Sequence, residues 1–142
     1  MKILGVDRKI RTTSMTSSSE LGPAFRHVRL LLAREAGHPA GDREEGYDLL
    51  IPLGADGKLD ADEWKKHQDH CRVRGFQAGT EERIGRLRRK PGGSWYIDYE
   101  KGEQDDETGF RFGEERFVMG EYISIAKDGK MHTYQVARVE KP

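Results

Sequence analysis

The chain has 142 residues, enough for one domain with its own core. Apolar residues make up 35% and charged residues another 35%, so that core is lean and some segment is expected to stay unpacked. Lysine plus arginine equals aspartate plus glutamate at 25 each, which excludes a uniformly basic nucleic-acid binder or a polybasic membrane protein but leaves room for local patches.

A single cysteine, Cys71, rules out an intramolecular disulfide and the paired framework of small secreted domains. Ile3 to Val6 is too short for a signal-peptide core, and Asp7 and Arg8 follow directly. No run approaches the roughly 18 apolar residues of a membrane span. The expected setting is the cytoplasm, away from membranes.

Residues 1–22 read as a disordered tail, with Thr12 to Ser19 almost entirely serine and threonine. Met15 within that run raises the expectation that translation naturally begins there rather than at Met1. Residues 23–142 then form a single β-rich domain. Pro23 to Ala36 carries two signals. Pro23 with the Phe25, Val28, Leu31 and Leu32 spacing suits a helix, whereas Arg26, Val28, Leu30, Leu32 and Arg34 alternate as in a strand. Tyr47, Leu49, Ile51 and Leu53 repeat with a clearer period of two. The expectation is strand, a Gly37–Gly46 loop, then strand.

One helix is expected, over about residues 60–72. Asp60 is a good N-cap, and Glu63 stands three residues on, where it can reach back to form a capping box. Leu59 and Trp64 form the hydrophobic staple, and Trp64, His67 or Gln68, and Cys71 share a stripe. From Glu82 onward every signal is β. Ile84–Arg89 and Ser94–Tyr99 flank a Pro91-Gly92-Gly93 turn, with Trp95, Ile97 and Tyr99 on one face. An acidic loop over 100–108 leads to a short Phe110/Phe112 strand.

The last hairpin is the strongest signal. Phe117–Ala126 and Met131–Val139 are rich in β-branched and aromatic residues, and Asp128-Gly129 suits a tight type I′ turn. Neither face of this hairpin is wholly polar, which suggests that both sides are partly covered, as in a small barrel. The fold class is α+β and β-dominated: an antiparallel small barrel or strongly twisted sheet with one capped helix over an open end or edge.

Arg26-His27-Val28-Arg29-Leu30, Leu32-Ala33-Arg34-Glu35, Gly37-His38-Pro39, Gly46-Tyr47, Lys90-Pro91-Gly92-Gly93-Ser94-Trp95 and Gly120-Glu121-Tyr122 resemble a family of small uncharacterised bacterial proteins. The resemblance covers about residues 25–139. It implies a compact β-rich domain with a strand at Val28, and it carries no activity with it. Gly120-Glu121-Tyr122-Ile123 with Asp128-Gly129 is also similar to the central hairpin of SH3-like small barrels.

Four constellations bear on chemistry. Asp56 to Glu63 matches the second half of a calcium-binding EF loop, but Pro52 and Gly54 stand where its opening carboxylates belong. An Asp-Gly turn into a capped helix accounts for every residue there. His67 and Cys71 are spaced to share a zinc ion, yet the remaining ligands would have to come from distant histidines, so neither metal nor cofactor is expected. Cys71 shares a stripe with Trp64 and reads as an inert core thiol rather than a nucleophile. The last constellation is basic: Arg72, Arg74, Arg83, Arg86, Arg88, Arg89 and Lys90, followed at once by Trp95, Tyr96 and Tyr99. Guanidinium groups pair with phosphates, and aromatic faces stack on unpaired bases. The competing arrangement pairs these cations with the acidic 98–115 region across adjacent strands, with Trp95 and Tyr99 in the core.

No phosphate-binding glycine loop, HExxH helix or GxSxG elbow is present, so an enzyme is not favoured. The expectation is a non-catalytic binding or interaction module. Its contacts would come from Arg86, Arg88, Arg89, Lys90 and Trp95 on the 83–99 hairpin and from His38 on the 37–46 loop. The partner is a protein or, alternatively, RNA or single-stranded DNA. A further alternative is a small-molecule enzyme or carrier with a pocket inside the barrel.

Overall fold

A computed structural model of the chain describes residues 22–35, 37–100, 107–109 and 111–142. The tail assigned to residues 1–22, apart from Gly22, and most of the 100–108 loop lie outside the described residues. Eight antiparallel strands follow one another around a closed barrel: β1 (Phe25–Leu32), β2 (Asp42–Pro52), β3 (Arg72–Gln77), β4 (Arg83–Arg89), β5 (Trp95–Tyr99), β6 (Glu107–Gly109), β7 (Tyr122–Lys127) and β8 (Lys130–Glu140). Each pairs with its successor, and β8 returns to β1. The weakest seam is β6–β7, registered through Thr108 and Ala126 alone.

Between Pro23 and Ala36 alternation prevails over helical spacing, because Val28, Leu30 and Leu32 all point inward and are buried. A strand set against β2 and β8 buries that row and pairs its backbone on both sides. Tyr47, Leu49 and Ile51 from β2, Trp95, Ile97 and Tyr99 from β5, and Ile123, Ile125, Tyr134 and Val136 from the last hairpin complete the interior. Tyr47 meets Tyr134 edge-on at 5.1 Å. Side chains fill this barrel, as expected for one of eight strands.

The Asp128-Gly129 turn forms as read, with φ of 53° and 76°. One expectation for this hairpin is corrected. Its first strand starts at Tyr122 rather than Phe117, because residues 118–121 close a turn with the Glu121 amide donating to the Val118 carbonyl at 2.9 Å. Its outer face is partly covered, with Ser124, Ala126 and Thr133 half-buried while Tyr122 is 59% and Met131 51% exposed. A bulge at Ala137 shifts the register so that Arg29 faces Arg138 while Leu30 faces Val136, which turns Arg138 away from the Tyr134 face and out to solvent.

Helix α1 (Ala61–Lys66) caps one end of the barrel and is shorter than expected. Beyond Lys66 the chain tightens into a 3-10 turn at Gln68–His70 before β3. The Asp60 carboxylate accepts from the Glu63 amide at 3.1 Å, as an N-cap should. The reciprocal half of the capping box does not form, because the Asp60 amide donates to the Pro52 carbonyl and the Glu63 carboxylate meets Lys66 instead. Leu59 and Trp64 are buried as a staple. Trp64 stacks edge-on against Trp95 at 4.9 Å and donates its indole N–H to the Leu87 carbonyl at 2.9 Å.

Phe112 is buried, not in a strand but in the turn after β6, where it packs edge-on against Phe117 at 5.4 Å. Gly46 needs its missing side chain: a Cβ there would stand 1.8 Å from the Leu30 carbonyl oxygen. The barrel end away from α1 carries polar pairs, Glu45 with Lys127 at 3.6 Å and Glu35 with His132 at 2.9 Å.

Candidate functional site

Inward residues of β1 to β4 are spent on the core, so their outward residues decide what this face of the barrel can hold. A groove of about 680 Å³ runs over the outside of β8, β1, β2, β3 and β4, bordered by the 3-10 turn. Five arginines line it, Arg29, Arg72, Arg74, Arg86 and Arg138, against the three carboxylates of Asp48, Asp69 and Glu140. Leu50 and Ile84 supply apolar floor, and His27 and His70 lie along it.

Asp48 organises the centre. Arg29 donates through Nη1 to both of its oxygens at 3.2 Å, and Arg74 donates through Nε at 3.1 Å and again through Nη2. Arg74 also pairs with Glu82. Its hydrogen bonding to Asp48, more than any other cause, holds the Arg74 guanidinium above its ordinary pKa, against the opposing effect of burial. Both guanidinium groups lie over the Phe76 ring, 4.6 Å and 5.1 Å from its centre. Flat stacking and bidentate pairing fix their orientation before any ligand arrives.

The flanks are arranged differently. Arg29 on β1 is registered against Arg138 on β8, and Arg72 on β3 against Arg86 on β4. Like charges directly opposite across strands repel. Arg86 has Glu100 at 3.4 Å and Arg138 has Glu140 at 3.9 Å, whereas Arg72 has no ion pair among the described residues. Arg29 is held by Asp48, so among these four guanidinium groups only Arg72 is left without a carboxylate partner among the described residues.

Of the six contact residues expected from sequence, Arg86 alone lines this groove, joined by Arg72 and Arg74 from the wider basic constellation. Arg88 turns to Asp69 at 3.4 Å and Asp98 at 3.9 Å, so part of the expected neutralisation across β4 and β5 does form. Arg89 lies 5.0 Å over the Trp95 ring and Lys90 5.2 Å over Tyr96. Trp95 and Tyr99 are each 3% exposed, facing inward with Ile97. His38 is held in a turn, exchanging backbone hydrogen bonds with Glu35 at 2.9 and 3.0 Å, and lies outside the groove. Sequence reasoning missed Arg29, Asp48 and Arg138; their only signal is position on the outward register of their strands.

The remaining constellations have structural explanations. Asp56 accepts from the Lys58 amide at 3.0 Å, closing the Asp-Gly turn. Among the described residues no three His, Cys, Asp or Glu side chains gather as a metal-binding group. Cys71 is fully buried, its Sγ donating to the His67 carbonyl at 3.5 Å, and burial pushes its thiol up to about 12 against the opposing pull of Arg88. A thiol so placed is not a nucleophile at neutral pH. No described helix is long and apolar enough to cross a membrane. No family model, curated protein or solved structure matches the chain.

Proposed function

We propose that this protein is a non-catalytic binding module whose groove across β8 and β1 to β4 holds a compact polyanion bearing phosphate groups. The observation that carries the reading is the opposition of Arg29 to Arg138 and of Arg72 to Arg86 on one concave surface. An arrangement that costs stability in the free protein becomes favourable once an anion lies between the guanidinium groups. The Asp48 clamp on Arg29 and Arg74 contributes preorganisation, which lowers the entropy lost on binding.

A compact anion is favoured over an extended nucleic-acid strand. Among the described residues no Phe, Tyr or Trp lines the groove, and on the neighbouring hairpin Trp95 and Tyr99 face inward while the half-exposed Tyr96 lies outside the groove, under Lys90. The family resemblance brings no activity, so the reading rests on the groove.

Calorimetric titration with tripolyphosphate and with a single-stranded RNA oligomer tests it. Tripolyphosphate is expected to bind, with affinity falling as salt is raised from about 50 to 200 mM. Arg138→Glu and Arg72→Glu should each weaken it about tenfold. Absence of binding at low salt overturns the proposal. Tighter binding of the RNA than of tripolyphosphate would restore the nucleic-acid reading.

A further inference from the structure

A second cavity lies at the α1 end of the barrel, and none of the residues lining it lines the basic groove. It has a volume of about 760 Å³ and is walled by the 53–58 loop on one side and the 116–119 segment on the other, with Arg26 and Val139 completing it. Backbone bonds fix the frame. The Gly54 amide donates to the Lys58 carbonyl at 2.8 Å, the Gly57 amide to the Gly54 carbonyl at 2.9 Å, and the Phe117 amide to the Gly57 carbonyl at 2.8 Å. Gly57 has a φ of +82°, and a Cβ there would stand 2.6 Å from the Val118 Cγ2, so glycine is what lets the two walls meet.

The lining divides by chemistry. Leu53, Val118, Met119 and Val139 give apolar surface, and Met119 is 64% exposed. Arg26, Lys58 and Arg116 bring three cations, and among the described residues none of them forms an ion pair. Arg26 instead donates through Nη1 to the Pro23 and Phe25 carbonyls at 2.7 Å. Lys58 and Arg116 face each other in an antiparallel bridge, so this cavity too opposes like charges. The one carboxylate in the lining, Asp56, is turned to the Lys58 amide.

We infer that this cavity is a binding site for an anionic amphiphile, a molecule with a carboxylate or phosphate head and an apolar chain. The head would be met by Lys58, Arg116 and Arg26, and the chain would lie along Val118, Met119, Leu53 and Val139. Its size falls within the range of small-molecule pockets, which combine apolar walls with a few convergent polar groups. Met119 is suited to such a wall, since its unbranched thioether adapts to chains of different shape.

Calorimetry of the full chain with decanoate, acetate and decyltrimethylammonium tests head and chain separately. Decanoate is expected to bind with one site; acetate, lacking the chain, and the cation, with the wrong sign, are each expected to bind at least about tenfold more weakly. Met119→Asp, on an exposed position, and Arg116→Glu should each lower decanoate affinity by a similar factor. Arg72→Glu in the basic groove, on a strand that contributes nothing to this cavity, should leave it unchanged, which separates this site from that one. Co-sedimentation with vesicles of phosphatidylglycerol shows whether the amphiphile is taken from a lipid surface: capture lost in Met119→Asp supports the site with a bilayer as source. Binding to neither decanoate nor vesicles, or binding indifferent to both Met119→Asp and Arg116→Glu, overturns the inference.

Discussion

Arg72 on β3 stands directly across from Arg86 on β4, a like-charged pair on the wall of the basic groove. Converting one member to a carboxylate turns repulsion into attraction. Arg72→Glu is therefore expected to stabilise the free protein by about 0.5–1 kcal/mol, moving its urea midpoint upward. The same variant should lose about tenfold in affinity for tripolyphosphate. Stability gained as binding is lost is the mark of a site held under electrostatic strain. A lower midpoint with unchanged binding would remove both premises.

The contact between Trp64 and Trp95 ties the helix to the barrel. Trp64→Ala removes a buried ring, the edge-on contact at 4.9 Å and the hydrogen bond to the Leu87 carbonyl. Its cost should be about 3–5 kcal/mol by denaturant unfolding. Trp64→Phe keeps much of the ring but leaves the Leu87 carbonyl without the indole N–H, and should cost about 1–3 kcal/mol. A loss under about 1 kcal/mol for Trp64→Ala would mean that α1 is not part of the cooperative core.

Much of this barrel is legible from local chemistry. Asp128-Gly129 announces its turn because positive φ is cheap for those residues, and Asp60 announces its helix because its carboxylate reaches the Glu63 amide. Trp95, Ile97 and Tyr99 declare an inward face by alternation alone. The basic groove is not legible in this way. Arg29 and Arg138 become neighbours only when β8 closes on β1, and the Ala137 bulge decides which residues face each other there. Asp48 gives no local sign that it will clamp Arg29 and Arg74, since that depends on the register of three strands. The early helix stop follows from tertiary demand, as the chain must turn at Gln68–His70 to deliver Cys71 and Val73 into the core.

Glu115 fastens the turn after β6 to β7 by accepting the Ser124 amide at 3.0 Å. Burial raises its pKa, more than the Ser124 hydrogen bond and Arg111 lower it. The fold thus favours the protonated carboxyl. Its stabilising contribution is complete below the ordinary glutamate range and is lost as pH climbs through the raised value. Glu115→Gln cannot titrate, so its stability relative to the parent should rise as pH climbs above the ordinary glutamate value. A constant difference above that value in paired urea titrations would show that the folded carboxyl titrates normally.

Cys71 gives the opposite end of the pH scale a sharp test. Its thiol ordinarily ionises near 9.0, and burial among Trp64's neighbours at the α1 end pushes that to about 12 in the folded protein. Between those values the unfolded chain releases the proton while the folded chain keeps it. The thiol's contribution to stability is therefore full below the ordinary value and is lost as pH rises toward about 12. The slope should reach at most about 1.4 kcal/mol per pH unit, since a single proton is involved. Lysines and tyrosines titrate in the same window, so the informative quantity is the difference between the parent and Cys71→Ala, measured by urea unfolding at several alkaline pH values. That difference should shrink with rising pH, because the variant has no thiol for the unfolded state to ionise. At neutral pH, reaction of the native thiol with a disulfide reagent should proceed only as fast as the barrel end opens, and should accelerate in step with added denaturant. Immediate labelling of the folded protein, or a parent-to-variant difference that does not move with pH, would mean that Cys71 faces solvent and that α1 does not seal this end of the barrel.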